Sequence, residues 1–188
     1  MSTVRLFVAI ETIPEIRDRL AEVQNVLRAT QADVHWEAKE KLHVTLKFLG
    51  ATETSVVEPL TRDLRTVCAA IARPTIHYGD LGFFPSRGTP RVVWAGVDDI
   101  EGEVKKLFQG IEDVAERHGF ARESRTFHPH ITLGRIKGKK NLRTLLTSME
   151  TITLESQPVE LHEILLMKSD LRPNGSIYST VASFPLGT

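Results

Sequence analysis

Two short strings carry the residues best suited to chemistry: His43-Val44-Thr45-Leu46 and His130-Ile131-Thr132-Leu133. An imidazole titrates at about 6.5 when unperturbed, so near neutrality one such ring can take a proton while a second gives one up. A hydroxyl two residues on can donate to a non-bridging oxygen, where negative charge accumulates as phosphorus becomes five-coordinate. Two His-x-Thr pairs facing one space therefore suit in-line displacement at a phosphodiester.

Both strings lie in runs of β-branched and apolar residues, so each reads as a strand whose side chains alternate between two faces. His and Thr of each copy then share one face. Val44, Leu46 and Phe48 fall on the other, as do Ile131 and Leu133, and these are expected to be core. A single His-x-Thr is a weak signal, because polar residues normally occupy a solvated face. Its recurrence, in the longer contexts Leu42-His43-Val44-Thr45-Leu46 and Pro129-His130-Ile131-Thr132-Leu133, argues for a shared site. Arg135 could add a fixed cation, but its strand parity is opposite to that of His130. It reaches the site only past a twist or at the strand end.

Clustered histidines also raise metal binding. His43, His128 and His130 could in principle hold zinc. No acidic ligand lies near either motif, the His-x₃-His helical spacing of many zinc hydrolases is absent, and ligation leaves both threonines unexplained. A metal site ranks second, and His128 alone reads as a structural or orienting residue. His35, His77, His118 and His162 match no motif.

The elements that must position these residues follow from periodicity. Arg5 to Ile10 reads as a buried strand. Thr12 and Glu15 form a capping-box signature, and Ile16, Leu20, Val23 and Leu27 recur at helical spacing, so a helix is expected over 13–29. Val34 to Trp36 is a short strand, and the first motif strand ends at Gly50. A second helix is expected over 55–72, with Val56, Leu60, Leu64, Val67 and Ile71 on one face and Pro74 beyond it. Strands follow at 75–84 and 91–97, separated by a turn or loop at 85–90. Asp98 or Asp99 caps a third helix reaching His118, which Gly119 ends. After the second motif strand come a basic turn, Lys137 to Lys140, and a short helix over 142–149. Strands at 159–167 and 177–184 close the chain, joined through Pro173-Asn174-Gly175, whose Asn-Gly step marks a hairpin.

The predicted fold class is α+β, with two pseudo-equivalent lobes, each an antiparallel sheet with flanking helices, lining a cleft. With 188 residues the chain is read as one bilobal domain over 1–188. The 24 basic and 24 acidic residues balance, which disfavours gripping long duplex nucleic acid by bulk charge and suits a terminal phosphate better. The single cysteine, Cys68, permits no intrachain disulfide and reads as a buried apolar residue. The first ten residues lack signal-peptide features, and no run approaches membrane-spanning length. The expectation is a soluble, cytoplasmic monomer with no membrane association.

The chain resembles the RNA 2′,3′-cyclic phosphodiesterases of the two-histidine phosphoesterase superfamily, a bacterial and archaeal group also called 2′-5′ RNA ligases. The resemblance rests on Arg5-Leu6-Phe7-Val8-Ala9-Ile10, the first motif with Phe48-Leu49-Gly50, Arg91-Val92-Val93-Trp94, Phe127-His128-Pro129 leading into the second motif, Arg135, and Tyr178. It implies a bilobal fold and metal-independent, cofactor-free hydrolysis of a terminal 2′,3′-cyclic phosphate to a 2′-phosphomonoester. His43 would protonate the leaving 3′-oxygen and His130 would act as base on water. Thr45 and Thr132 would bind phosphate, with Arg135 and Tyr178 as further substrate-binding residues. The partner implied is RNA with a 2′,3′-cyclic phosphate end, or a cyclic nucleotide. Some relatives also join tRNA halves through a 2′-5′ linkage. Gly134 stands where bulkier residues also occur among similar proteins.

Lys39, Lys41, Lys47, Arg87, Arg91, Lys137, Lys139 and Lys140 lie near the motifs or in loops expected to border the cleft, where those around the second motif could attract an RNA backbone. Trp36, Phe84 and Tyr178 could stack on a terminal base, although Trp36 and Phe84 read first as half-buried structural residues. The reading from a different class is a catalytically silent RNA-end or nucleotide-binding module. A matched pair of proton carriers is superfluous to a pure binder.

Overall fold

The computed structural model describes residues 2–154, 158–173 and 175–187. The first strand, β1 (Thr3–Glu11), buries Leu6 to Ile10 without a break. It runs between two partners and is covered on both faces, the circumstance in which a strand is apolar throughout. Its neighbours are β3 (His43–Glu53), the first motif strand, and β8 (Glu163–Asp170), which in turn pairs with β9 (Ile177–Pro185). The second motif strand, β6 (His130–Ile136), pairs with β5 (Val92–Asp98), and β5 with β4 (Thr75–Phe84). The short β7 (Val159–Glu160) extends β4, and β2 (Val34–Trp36) lies along β6.

All these pairings are antiparallel, and together they make a nine-stranded sheet in the order β7-β4-β5-β6-β3-β1-β8-β9, with β2 beside β6. The two expected sheets are thus the two wings of one curled sheet. The motif strands form its seam, joined through one ladder pair, Val44 opposite Ile131. Continuing that register sets His43 across from Thr132 and Thr45 across from His130.

The lobes do not follow the halves of the chain. Helix α1 (Pro14–Arg28) leaves β1 and crosses to the β6 wing, where the buried Gln24 amide donates to the carbonyls of Leu133 (2.8 Å) and Glu37 (2.9 Å). It packs there with α4 (Leu142–Glu150). Reciprocally, α3 (Glu103–Arg117) leaves β5 and crosses to the β3 wing, beside α2 (Thr54–Ala69). Each lobe holds two helices and one motif strand, as expected, but the chain trades a helix between lobes after β1 and again after β5. One continuous core runs beneath both, from Leu6, Val44 and Leu64 through Ile131, Leu133 and Ile164.

Several local expectations give way to tertiary geometry. The Thr12 capping box does not form: α1 starts at Pro14, whose ring presets the first helical turn, with Ile13 at the cap, while Thr12 is buried beside the Tyr78 hydroxyl. Helix α2 ends at Ala69, short of Pro74. Helix α3 starts at Glu103, later than expected, and Asp99 reaches over the intervening turn to accept from the amides of Val104 (3.1 Å) and Lys105 (2.8 Å).

The expected strand at 159–167 is two strands. The chain breaks at Leu161-His162, so β7 extends one end of the sheet while β8 pairs with β1 in the other wing. The buried Leu161 is tied by its amide to the Pro74 carbonyl (2.9 Å). The β8–β9 ladder is the expected hairpin pairing; Asn174, on which the turn signal rested, lies outside the described residues.

Candidate active site

Both motif strands carry the same irregularity. Opposite β1, Ala9 pairs with Thr45 but Val8 pairs with Lys47; opposite β5, Trp94 pairs with Thr132 but Val93 pairs with Gly134. In each strand the leucine after the threonine is an extra residue. Such a bulge adds one position and reverses the alternation beyond it. Burial runs in the same sequence along both: His and Thr half-buried, the residue between them buried, two buried residues next, then one exposed. That exposed residue is Phe48 in β3 and Arg135 in β6.

This resolves the parity of Arg135, which the bulge returns to the face of His130 and Thr132. It also corrects the reading of Phe48 as core, since that side chain is 66% exposed.

The imidazoles are held by one device. Nδ1 of His43 donates to the Lys41 carbonyl at 2.6 Å, and Nδ1 of His130 donates to the His128 carbonyl at 2.7 Å. Each bond runs to the residue two positions upstream. A carbonyl can only accept, so the proton on Nδ1 is assigned in both rings and Nε2 is the nitrogen left for chemistry. His43 Nε2 lies 3.0 Å from Thr45 Oγ1.

Aromatic rings brace each imidazole. Phe7 lies 5.0 Å from His43 between ring centroids and Tyr178 5.5 Å, edge on. Phe84 lies 5.0 Å from His130, and Trp94 supports Phe84 at 5.1 Å. The Trp94 indole lies flat over Gly82, where a Cβ would come within 2.2 Å of it. His128 packs its ring on Trp94 (4.9 Å) and gives its carbonyl to His130, which is the orienting role expected of it.

The charges around the two rings differ. Burial pushes both imidazoles below their ordinary value, since removing water disfavours the charged form. For His43, the bond to Lys41 and then the Glu37 carboxylate oppose that shift, while His130 adds to it, so the two rings feel one another. For His130, the bond to its own upstream carbonyl opposes it, whereas His128, Arg135 and Arg125 all push further down. Burial, then Glu37, raises the Tyr178 phenol above its usual range, against Arg135 and Arg5.

Glu37 is the site residue that motif reading missed. Its amide donates to the Leu133 carbonyl (2.9 Å), the same oxygen that accepts from Gln24, and its carboxylate lies 3.5 Å from Arg135 Nε. The bulge at Leu133 thereby sets both members of this ion pair. Gly134 permits it: a Cβ there would stand 2.7 Å from Val34 and 2.9 Å from Trp36, so only glycine lets β2 lie this close to β6. The weak clue in the sequence was an acid six residues ahead of the first histidine.

Other candidates divide. Lys41 caps the Tyr178 ring at 5.9 Å, and both border an open hollow with Arg172 and Ser176. Trp36 is half-buried beneath the Arg28 guanidinium (5.9 Å). Lys47 is no cleft cation. It is 6% exposed, with its ammonium 2.7 Å and 2.9 Å from the two carboxylate oxygens of Glu112 and 2.6 Å from the Ala121 carbonyl. His118 pairs with Asp63 at 2.9 Å. Among the described residues, no three His, Cys, Asp or Glu side chains converge as a metal site would require, and no helix is long and apolar enough to cross a membrane.

A curled antiparallel sheet with a His-x-Thr from each wing at its seam defines a two-histidine phosphoesterase architecture. The model of the LigT-like phosphoesterase family matches residues 10–94 and again 96–178, and the chain belongs to that family. It is 35% identical to the RNA 2′,3′-cyclic phosphodiesterase of Aeropyrum pernix over 166 residues, 87% of this chain and 92% of that one. It is 31% identical to the Methanothermobacter thermautotrophicus enzyme of the same name, covering 97% and 99% of the two chains. Among solved structures, a Thermus thermophilus protein superposes with a TM-score of 0.81 at 23% identity, covering 97% of both chains. Escherichia coli LigT in complex with 3′-AMP superposes with a TM-score of 0.75 at 24% identity over the whole of both chains. These two likenesses establish the fold.

Proposed function

We propose that the protein hydrolyses RNA 2′,3′-cyclic phosphate ends to 2′-phosphomonoesters, with His130 as general base and His43 as general acid. The observation that carries this reading is the shared pinning of both rings through Nδ1, combined with unlike neighbours: Glu37 raises His43 while Arg135 and Arg125 lower His130, against burial that lowers both. Cations beside His130 favour its neutral form, whose Nε2 lone pair can take a proton from water. The Glu37 carboxylate favours a proton on His43 Nε2, ready for the departing 3′-oxygen.

In the proposed step, water loses a proton to His130 as its oxygen bonds to phosphorus. The bond to the 3′-oxygen breaks and that oxygen takes the proton from His43. The two rings end with their protonation exchanged, and solvent resets them. Thr45 and Thr132 donate to the non-bridging oxygens and Arg135 supplies a fixed cation where charge builds up. Tyr178 closes the His43 side against the substrate's ribose. Family membership and the names of the relatives support the substrate class.

The test is phosphorus NMR of a nucleoside 2′,3′-cyclic phosphate incubated with the protein. Conversion to the 2′-monoester is expected, with an unchanged rate in the presence of chelator. Line broadening without product would establish a binding module instead.

A further inference from the structure

The bulge in β3 takes Lys47 off the cleft face, where plain alternation from His43 and Thr45 would set it, and turns it inward against Glu112 of α3. The two side chains are 5% and 4% exposed. A buried ion pair gains little stability over apolar side chains of the same volume, because both charges must be stripped of water. Apolar side chains, however, cannot hold a carbonyl and an amide in fixed places. Lys47 Nζ donates to the Ala121 carbonyl (2.6 Å), and Glu112 Oε2 accepts both from Lys47 Nζ and from the Glu123 amide, each at 2.9 Å.

Those two backbone groups belong to residues 120–129, a segment without helix or strand that carries the chain from α3 back across to β6. Its far end presents the His128 carbonyl to His130 Nδ1, and the Pro129 carbonyl accepts from the Val97 amide (3.1 Å). Between these ends Phe127 stacks on Phe108 of α3 at 4.1 Å, and the Arg125 guanidinium is forked onto the Glu123 carboxylate at 3.0 and 2.7 Å. Arg125 in turn disfavours the charged form of His130. The carbonyl and this cation therefore reach His130 on a segment whose first half is fastened to the buried pair.

We infer that Lys47 and Glu112 are positioning residues for the general base: their buried pair fixes the segment that presents the His128 carbonyl to His130. The inference rests on the proposed function for the role of His130. It makes the first motif strand, through the residue that follows its bulge, a support of the other lobe's imidazole.

The experiment uses two double variants. K47M/E112L removes both charges together, and K47M/E112Q restores an amide group that can donate to Ala121 and accept from Glu123. Nitrogen-15 NMR of the imidazoles reads the tautomer of neutral His130, and steady-state kinetics on adenosine 2′,3′-cyclic phosphate read kcat and KM. The parent should hold its proton on Nδ1. K47M/E112L should fold, show a mixture of Nδ1–H and Nε2–H rings at His130 with His43 unchanged, and lose about 10-fold or more in kcat with KM little altered. K47M/E112Q should recover towards the parent in both readouts. A folded K47M/E112L protein that keeps the parent's tautomer at His130, or the parent's kcat, overturns the inference, and so does an equal disturbance of His43. Where that variant does not fold, Glu123→Pro deletes only the amide bonded to Glu112 and leaves the pair's charges balanced. It should change the His130 tautomer in the same way, and an unchanged tautomer there overturns the inference. The tautomer is read without turnover, so an inactive parent would sink the phosphodiesterase reading and leave this one to its own spectra.

Discussion

The strings Thr45-Leu46-Lys47-Phe48 and Thr132-Leu133-Gly134-Arg135 bend the same way at the same place, yet carry different cargo. In the first lobe the residue after the bulge is Lys47, buried against Glu112 of α3; in the second it is Gly134, which leaves room for β2. One lobe consequently fastens its motif strand to a helix with a buried ion pair. The other fastens it to an edge strand that delivers Glu37. A shared backbone device thus holds the two imidazoles alike while the neighbouring side chains set their charge apart. Near-symmetry of geometry with asymmetry of electrostatics is what the proposed division into acid and base rests on.

The largest expected effect tests that separation at the rings. His43→Ala and His130→Ala should each lower kcat by a factor on the order of 10² to 10⁴ with the fold intact. A phosphodiester with a p-nitrophenolate leaving group, which departs without a proton, should restore turnover to the His43 variant and not to the His130 variant. Equal rescue of both would erase the assigned roles.

Next in size is the buried pair. Glu112→Leu alone leaves the Lys47 ammonium without its counter-charge and should cost about 3–5 kcal/mol of unfolding free energy, read by denaturant titration. The double change Lys47→Met with Glu112→Leu should recover much of that loss. Glu112 also accepts from the Glu123 amide (2.9 Å), so the single variant should loosen the segment ahead of β6 as judged by amide exchange at residues 121–125.

The comparison is sharpened by pH. Because burial lowers both imidazoles, the bell-shaped profile of kcat/KM should be centred below about 6.5, with limbs that belong to the pair. Glu37→Gln removes a carboxylate that raises His43 and releases Arg135, which lowers His130. Both limbs should move to lower pH. Movement of either to higher pH would contradict the electrostatic account.

The smallest effects should come from the hydroxyls. Thr45→Ala and Thr132→Ala each remove a neutral donor, a several-fold loss in kcat/KM. The Thr45 change should be the larger, because its hydroxyl also meets His43 Nε2. Steady-state kinetics on one cyclic nucleotide would rank them.

Much of this was open to inspection in the chain itself. The β-branched runs around both motifs, the helical spacing from Ile16 to Leu27 and the glycine after the third helix all depend on neighbours close in sequence, where patterning is a reliable guide. Phe48 was misread because alternation was carried through a bulge that only the offset between β3 and β1 reveals; Lys47 was misread because nearness to the motif in sequence does not show the buried Glu112 carboxylate that holds it. The break at Leu161-His162 was missed because an unbroken apolar run does not say that its two ends serve opposite wings of the sheet.

From the sequence alone came the two histidines proposed as proton carriers, their neighbouring hydroxyls and the strands that bear them, since residue type and short-range periodicity are local properties. Tertiary structure alone decided that both strands bulge after the threonine, that α1 and α3 change lobes, and that Glu37 raises one imidazole while Arg135 and Arg125 lower the other. Register offsets and electrostatic fields are made by partners far apart in the chain, and no local pattern encodes their distance.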